Sequence, residues 1–369
     1  MRDQATAGYD KRDLRFAGAN TRDLSFDFAK GVLIILVIIG HLLQSVIYRD
    51  TDSFWLSPYF MAIYMFHMPL FMAVSGYLSS GAILRKSFGQ AVGDRAMQLL
   101  LPMVVWCALI CALKSTFVSP PRSLSDELWD FSREFTGTYW FIWAAFASFL
   151  LIKFLITFSR LSMWIISASA VVVAFLPITL SIVPLARYTY AFFCLGFLFS
   201  SRPQLTSVIV RPELPLVVLL STATCLCFLA WGRETYAYNN LVLVHNAQSA
   251  RQVLLMFAGS AAASAVAMQF MFQCWRAGCS AKVVRFVAVG LGQSTLLLYL
   301  VQGAVFRLMD LIQFGQLWGL ITRIVVASVL GVAIVVIAMT IRWMVRDLGY
   351  VSRLVGAPPR PGLLKKANS

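Results

Sequence analysis

Charged residues are scarce in this chain of 369 residues, because Asp, Glu, Lys and Arg together make up 13% of it and hydrophobic residues make up 59%. A soluble globular protein carries about 25% charged residues, so the composition excludes that class. Apolar runs of about 20 residues recur from end to end, whereas the short alternating segments of an outer-membrane barrel are not seen. We therefore predict an all-α polytopic membrane protein.

Acidic residues are fewer still, since 16 Asp and Glu oppose 31 Lys and Arg and give a net charge of +15. The excess does not indicate a nucleic-acid partner, because the basic residues lie at the ends of apolar runs and in the two tails, without a basic patch interleaved with aromatics. It fits the orientation rule for membrane proteins and contacts with anionic lipid headgroups.

Histidine is the rarest ionisable residue, with three in the chain, and the seven Cys contain no CxxC pair. No zinc-ligand spacing results, so we predict no metal. Two of the three His, His41 and His67, lie near the middle of apolar runs. A charged residue at that depth costs about 2.5–3.5 kcal/mol or more and usually marks function.

Ten membrane spans are predicted, with Pro58 and Pro69 indicating a break in the second. The Lys and Arg of the connecting loops favour the side that holds the N-terminus, so both termini are predicted to be cytoplasmic. The chain then divides into an N-terminal tail (1–24), a transmembrane domain (25–347) and a C-terminal tail (348–369). The predicted spans are 26–48, 54–81, 93–118, 138–159, 162–183, 186–201, 213–232, 250–275, 283–309 and 316–345.

Lys30 and His41 enclose ten residues of the first span. On an α-helix they stand about 16 Å apart along the axis. Eleven positions make almost three full turns, so both side chains lie on nearly one face. A cation at the inner mouth and an acid–base group deeper in the membrane suit an anionic ligand that enters from the cytoplasm.

Several features follow one another in the order found in a known family. Lys30 and His41 match its first-span spacing, and Asp27 precedes them as is common there. Other matches are FHMPLFMAVSGYL (66–78), which contains Ser75, GTYWFIWAAF (137–146), RYTYAFFCLGFLF (187–199) and GLGQSTLLLYLVQ (290–302). Over residues 24–345 the chain resembles the integral-membrane acyltransferase-three family, which transfers acyl groups, usually acetyl, to extracytoplasmic glycans.

Two positions depart from the family pattern. Only Arg95 of the usual Arg-x-x-Arg pair before the third span is present, because Gln98 replaces the second Arg. Gln302 stands where many members have His, and a Gln cannot take a proton near neutral pH.

The resemblance implies an O-acetyltransferase with acetyl-CoA as donor and a glycan or lipid-linked sugar as acceptor. The donor phosphates would contact Lys30, Arg85, Lys86 and Arg95, and His41 would act as a base or carry the acetyl group, with His67 as a second site residue. On the outer side, the candidates for contacts with the sugar are Asp126, Glu127, Trp129, Trp140 and Arg187.

Three functions remain open from the sequence. The first is acetylation of an exported exopolysaccharide, lipopolysaccharide or similar glycan at a bacterial inner membrane. The second is a transporter or flippase of lipid-linked sugars that uses His41 and His67 as a proton relay. The third is a membrane scaffold without catalytic activity. The ordered motifs favour the enzyme, because no internal repeat supports a transporter.

Overall fold

The computed structural model describes residues 23–49, 52–117, 123–159, 163–176, 178, 182–202, 213–237, 247–309 and 318–358. Within these ranges the regular structure is entirely helical. The α-helices are α1 Leu24–Leu42, α2 Pro58–Tyr64, α3 His67–Arg85, α4 Phe88–Phe117, α5 Leu124–Arg133, α6 Trp140–Ser159, α7 Met163–Ala174, α8 Val183–Ser201, α9 Leu214–Leu229, α10 Ala247–Gly278, α11 Lys282–Arg285, α12 Thr295–Met309, α13 Leu320–Val345 and α14 Gly349–Leu354.

Short turns of other helix types extend or connect these elements. A π-helical turn, Leu43–Ile47, continues α1, and another, Glu134–Thr138, follows α5. Between α11 and α12 the chain passes through a π-helical turn, Phe286–Leu291, and a 3-10 turn, Gly292–Ser294. Further 3-10 turns are Asp52–Leu56 and Arg233–Thr235.

The prediction of an all-α polytopic membrane protein is confirmed. Among the described residues, eight helical segments are long and apolar enough to cross a bilayer. The predicted fifth and seventh spans appear as the shorter apolar helices α7 and α9, with 12 and 16 residues. At a rise of 1.5 Å per residue they extend roughly 18 and 24 Å, less than the roughly 30 Å of a bilayer core.

The second span is divided at Met65–Phe66, where a turn separates α2 from α3. Pro58 begins α2, a position at which its missing N–H costs no hydrogen bond. Pro69 lies in the first turn of α3, which is favourable for the same reason. The predicted break therefore falls just before His67 and makes this residue the first of a new helix.

Close backbone contacts hold the central helices together. A Cβ atom on Gly76 of α3 would lie 2.1 Å from the carbonyl oxygen of Phe193, and one on Gly196 of α8 would lie 1.8 Å from that of Ala73. Gly31 of α1 contacts the carbonyl of Val287 in the same way. Only glycine permits this approach, which brings α3 against α8 and α1 against the turn Phe286–Leu291.

Helix α13 lies at the periphery: 17% of the residues in its most apolar 18-residue stretch are buried, compared with 61% for α8. After it, α14 turns back onto the membrane domain: Trp106 of α4 donates a hydrogen bond to the carbonyl of Val355 at 3.2 Å. Gly356 follows with φ of +77°, a conformation that favours glycine. Part of the predicted C-terminal tail is thus packed, whereas residues 1–22 and 359–369 of the two tails lie outside the described residues.

Candidate active site

A cavity of about 380 Å³ opens between α1, α3, α4, α6 and α12. Its size lies within the roughly 300–1,000 Å³ usual for small-molecule sites. Much of the wall is apolar, including Met68, Phe71 and Tyr299. The polar side chains that line it are Lys30, Ser75, Ser79, Lys86, Asp94, Arg95, Gln98 and Thr295.

One face of α1 leads from this cavity toward His41. Lys30, Ile34 and Val37 line the cavity at helical spacing, and His41 follows Val37 by four residues. Residues four apart lie above one another on a helix. The cavity therefore ends about one turn from His41, and Lys30 stands at its opposite end.

Two ion pairs are found at the Lys30 end of the cavity. Lys30 Nζ lies 2.7 Å from Asp27 Oδ1, and Asp27 is only 2% exposed. Lys86 Nζ lies 2.5 Å from Asp94 Oδ2, but both of these side chains are exposed. The buried carboxylate of Asp27 thus holds Lys30 in place, whereas the Lys86–Asp94 pair is exposed to solvent screening.

Arg95 also lines the cavity, with Nη1 donating to Gln98 Oε1 at 3.0 Å and the guanidinium 5.5 Å from the ring centre of Phe149. Arg85 does not belong to this group: it is exposed and its Nε lies 3.4 Å from the carbonyl of Gly81. Three of the four residues predicted to bind the donor, Lys30, Lys86 and Arg95, therefore share one cavity together with Ser75.

Lys153 is a buried cation that the sequence reasoning missed. Its Nζ donates to the carbonyl oxygens of Ile83 at 2.8 Å and Lys86 at 2.6 Å, so it joins α6 to the end of α3. These contacts satisfy carbonyls that lack helical partners at a C-terminus. A Lys within the apolar run of the fourth span was the signal, since it is the same anomaly that identified the two His.

His67 is 1% exposed, and its Nδ1 lies 2.8 Å from the carbonyl oxygen of Ile63. A carbonyl can only accept a hydrogen bond, so Nδ1 carries the proton in the neutral ring. Nε2 is then the nitrogen with a free electron pair. The divided span therefore fixes both the orientation and the tautomer of this imidazole.

Tyr64 contacts His67 and also the turn of α1 that carries His41. The ring of Tyr64 meets His67 edge to face with centroids 4.5 Å apart. The same ring packs against Gly40, the residue before His41, since a Cβ there would lie 2.8 Å from Tyr64 Cε2. His41 is partly buried, its ring 5.5 Å from that of Phe306, and the two His are near enough to interact electrostatically.

Gln302 lies at the depth of His41. Tyr299 of α12 lines the cavity and Phe306 contacts His41, and Gln302 is between them on the same helix. The side chain is 1% exposed, and no described residue donates a hydrogen bond to its Oε1. Gln302 thus leaves a buried acceptor one helical turn before Phe306, the residue of α12 that contacts His41.

A second, much smaller cavity of about 20 Å³ lies at His67. It is mainly aromatic, and Trp140, which was predicted on the acceptor side, is part of it. Sequence reasoning missed the other aromatic members because they come from segments far apart in the chain. These members are Tyr64, Tyr188, Trp231 and Tyr236.

The other residues predicted on the acceptor side are placed differently. Arg187 is buried in the first turns of α8, next to Tyr188. Asp126 and Glu127 lie on the exposed helix α5, where Asp126 completes a capping box with Ser123. This capping explains Asp126 locally, and neither acidic residue lines the two cavities described above.

A buried ionic cluster near the start of α6 also escaped prediction. Glu134 accepts from Lys114 Nζ at 2.5 Å, from Arg307 Nε at 2.8 Å and from the hydroxyl of Thr138. Burial alone raises the pKa of a carboxyl, but the hydrogen bonds from Arg307, Lys114 and Thr138 hold the pKa of Glu134 below its ordinary value. The cluster joins α4, the turn before α6, and α12.

Within the described residues, no three His, Cys, Asp or Glu side chains are grouped as metal ligands. Residues 23–343 match the family model of the acyltransferase domain. The chain belongs to this acyltransferase family. It is an integral membrane enzyme of the O-acetyltransferase kind, as predicted.

Two relatives extend the comparison over almost the whole acyltransferase. Nodulation protein NolL of Mesorhizobium japonicum is 70% identical over 367 residues, which cover 99% of this chain and 98% of the relative. Nodulation protein NolL of Sinorhizobium fredii is 65% identical over 346 residues, 93% of this chain and 94% of the relative. No solved structure matches the chain.

The structure gives a role to Gly292 and Ser294 in the 290–302 motif, which leads into α12. A Cβ on Gly292 would lie 1.8 Å from the carbonyl oxygen of Asp27, so the motif packs directly on the turn that holds Lys30. Ser294 Oγ accepts from Arg342 Nη1 at 3.0 Å, and the same nitrogen donates to the carbonyls of Val289 and Gly290. The motif therefore supports the cavity wall.

Proposed function

We propose that this acyltransferase moves an acetyl group from cytoplasmic acetyl-CoA to a hydroxyl of an extracytoplasmic or lipid-linked glycan. The observation that carries the proposal is the cavity that joins Lys30, Lys86 and Arg95 to the face of α1 on which His41 lies. One end of this path suits an anionic donor, and the other end holds groups that can accept a proton.

The donor phosphates bind at the cationic end. Arg95 offers forked donors to phosphate oxygens and Lys30 offers a compact charge, held in place by Asp27. The chain of the donor then extends along the apolar wall past Ile34 and Val37. This arrangement brings the thioester toward His41 from the cytoplasmic side.

Transfer forms one bond and breaks another. The acceptor oxygen attacks the thioester carbonyl carbon, its proton passes to an imidazole nitrogen, and the carbon–sulfur bond breaks. The departing thiolate takes up a proton and leaves as the free thiol. His41 acts either as this base or as a nucleophile that first accepts the acetyl group and then passes it to the hydroxyl.

The comparisons and the sequence pattern support the proposed acceptor and location. Both relatives described above are nodulation proteins, so a glycan of the nodulation process is the favoured acceptor within the wider class of exported polysaccharides. The proposed membrane is the bacterial inner membrane, with residues 25–347 forming the catalytic domain and both tails cytoplasmic. This orientation places the cationic end of the cavity on the side of the cytoplasmic acetyl-CoA pool.

The test uses purified full-length protein and acetyl-CoA labelled in the acetyl group. The acceptor is the total glycan extract of cells from which the gene has been removed, because that extract contains the unmodified glycan. We expect the wild type to form labelled ester, and the His41→Ala variant to lose at least about 100-fold in rate, since a positioned base typically contributes 10²–10⁴-fold. The exposed Trp164→Phe variant, changed on α7, serves as the matched control.

Normal ester formation by His41→Ala would remove this residue from the reaction. If the wild type transports a lipid-linked sugar and forms no labelled ester, the result would support the alternative hypothesis of a flippase. A protein that neither transfers acetyl nor moves the sugar would be a scaffold.

A further inference from the structure

The small cavity at His67 is too narrow for a sugar ring and large enough for one hydroxyl group. Its volume is about 20 Å³. A cavity needs at least roughly 10–15 Å³ to hold one water molecule. A single oxygen with its proton therefore fits, whereas the remainder of a sugar would have to lie beyond the cavity.

The polar atoms around this space match the hydrogen-bonding capacity of a hydroxyl. Trp231 is 7% exposed, and its Nε1–H lies near the Tyr236 hydroxyl but makes no hydrogen bond of regular geometry to any described residue. His67 uses Nδ1 to donate to Ile63, which leaves Nε2 as an acceptor. A hydroxyl oxygen can accept from the indole N–H and donate its own proton to Nε2.

The loop that carries Trp231 is held by hydrogen bonds of Thr235, outside the cavity, and of Tyr236, which lines it. Thr235 Oγ1 donates to Gln252 Oε1 of α10 at 2.6 Å and accepts from the backbone N–H of Gly232 at 3.2 Å. The hydroxyl of Tyr236 donates to the carbonyl of Trp55 at 3.2 Å. A buried donor on a fixed loop is a costly arrangement unless a ligand or water satisfies it.

The remaining wall is largely aromatic. Trp140, Tyr188 and Tyr236 line the space, and Thr189 is the other hydroxyl-bearing residue there. The hydroxyl of Tyr188 shares a hydrogen bond with Ser260 Oγ at 2.5 Å. Indole and phenol rings combine an apolar face with a polar edge, so they can enclose a single hydroxyl group.

From these observations we infer that the cavity at His67 is the subsite for the reacting hydroxyl of the glycan. Trp231 donates to the hydroxyl oxygen and His67 Nε2 accepts its proton in a hydrogen bond. This inference rests on the proposed function and adds the residues that recognise the acceptor. It also separates the two His, because the hydroxyl proton passes to His67 Nε2 and His41, at the end of the donor path, then acts as the nucleophile that carries the acetyl group.

The experiment compares the wild type with Trp231→Phe, which keeps an aromatic ring and removes the N–H donor. The probe is again the total glycan extract of cells without the gene, titrated at saturating acetyl-CoA, with acetyl-CoA titrated separately. A neutral hydrogen bond contributes about 0.5–1.5 kcal/mol, so we expect the apparent KM for glycan to rise roughly 2- to 12-fold. The KM for acetyl-CoA and the melting temperature should stay near the wild-type values, as they should for Trp164→Phe.

Three results would overturn the inference. An unchanged KM for glycan in an active Trp231→Phe enzyme would show that the indole N–H does not recognise the acceptor. A lower melting temperature with an unchanged KM for glycan would assign the cavity to a structural water. An equal rise in the KM of both substrates would indicate a general distortion. Failure of the proposed function is distinguishable from all three, because the wild type would then form no ester.

Discussion

The imidazole of His67 donates from Nδ1 to the carbonyl oxygen of Ile63 at 2.8 Å, across the turn that divides the second span. At the break the Ile63 carbonyl accepts from the N–H of Phe66 at 3.3 Å, and the imidazole adds a second, shorter hydrogen bond. The same contact leaves Nε2 available to a substrate. The hydrogen bond to the backbone therefore fixes the tautomer in which Nε2 can accept a proton.

The first prediction separates these two uses of His67. An Asn at this position can still donate to the Ile63 carbonyl from its amide nitrogen, but it has no counterpart of Nε2. We expect His67→Asn to fold with a melting temperature near that of the wild type and to lose about 10²–10⁴-fold in transfer rate. Labelled-ester formation and thermal unfolding of the same preparation provide the two readouts.

His67→Leu is the matched comparison for that variant. It removes both nitrogens, so the Ile63 carbonyl keeps only the N–H of Phe66 at 3.3 Å, and the lost hydrogen bond costs about 0.5–1.5 kcal/mol. Its melting temperature should therefore fall along with its activity. A fully active His67→Asn enzyme would exclude any role of Nε2 in transfer.

The second prediction concerns Lys30 and the donor phosphates. Replacing it by Gln removes a charged donor, and hydrogen bonds to charged groups contribute about 1.5–3 kcal/mol, so the KM for acetyl-CoA should rise roughly 10- to 100-fold. Lys30→Arg keeps the charge and should remain closer to the wild type. The measurement is the initial rate of ester formation as a function of acetyl-CoA.

A donor without phosphates provides the internal control for Lys30. S-acetyl-pantetheine carries the same thioester but no phosphate, so Lys30→Gln and the wild type should use it equally well. If the variant is impaired to the same extent with both donors, Lys30 acts on the reacting end or on the fold and does not bind phosphate.

The third prediction uses the ionic cluster of Glu134, Lys114 and Arg307. Removing one partner of a buried ion pair lowers the free energy of unfolding by about 3–5 kcal/mol. For Glu134→Gln we expect the lower part of this range, because Arg307 is 35% exposed and its charge is partly screened by solvent. The pKa of Glu134 is below its ordinary value in the folded protein. Its ionisation therefore stabilises the fold above the ordinary pKa of about 4.3, and this contribution is lost as the pH falls through the lower folded pKa.

Thermal unfolding in detergent from pH 7 downward tests this sign. The melting temperature of the wild type should exceed that of Glu134→Gln at pH 7, and the difference should shrink as the pH falls below about 4. A difference that stays constant over this range would mean that the charge of Glu134 does not carry the stabilisation.

The parts of the site that one helix carries could be predicted from the sequence. Lys30 and His41 occupy one face of α1 because eleven residues make nearly three turns, and the structure places Lys30, Ile34 and Val37 along one cavity. The break before His67 followed from Pro69, because the chemistry of proline acts within a few residues. The roles assigned to these residues stay predictions.

Contacts between distant segments could not be predicted in this way. Glu134 and Arg307 are separated by 173 positions, and Trp231 joins His67 only after the loop has packed on α10. A single sequence contains periodicity but no information on which helices become neighbours. Asp126 has a local structural role that its acidic character alone does not indicate, because it caps α5, and its predicted contact with the sugar stays a prediction.

The last prediction tests the close packing of α3 and α8, which positions His67 relative to the cavity. Gly196→Ala would place a Cβ 1.8 Å from the carbonyl oxygen of Ala73, so the two helices must separate. Overpacking of this kind costs about 1–3 kcal/mol, and we expect a lower melting temperature together with reduced transfer. Gly93→Ala is the matched control, since nothing lies within 4 Å of its added Cβ on α4 and Ala stabilises a helix interior by about 0.5–1 kcal/mol relative to Gly. If both variants melt at the same temperature, the backbone approach at Gly196 does not constrain the fold, and the position of His67 must depend on the turn at Met65–Phe66 alone.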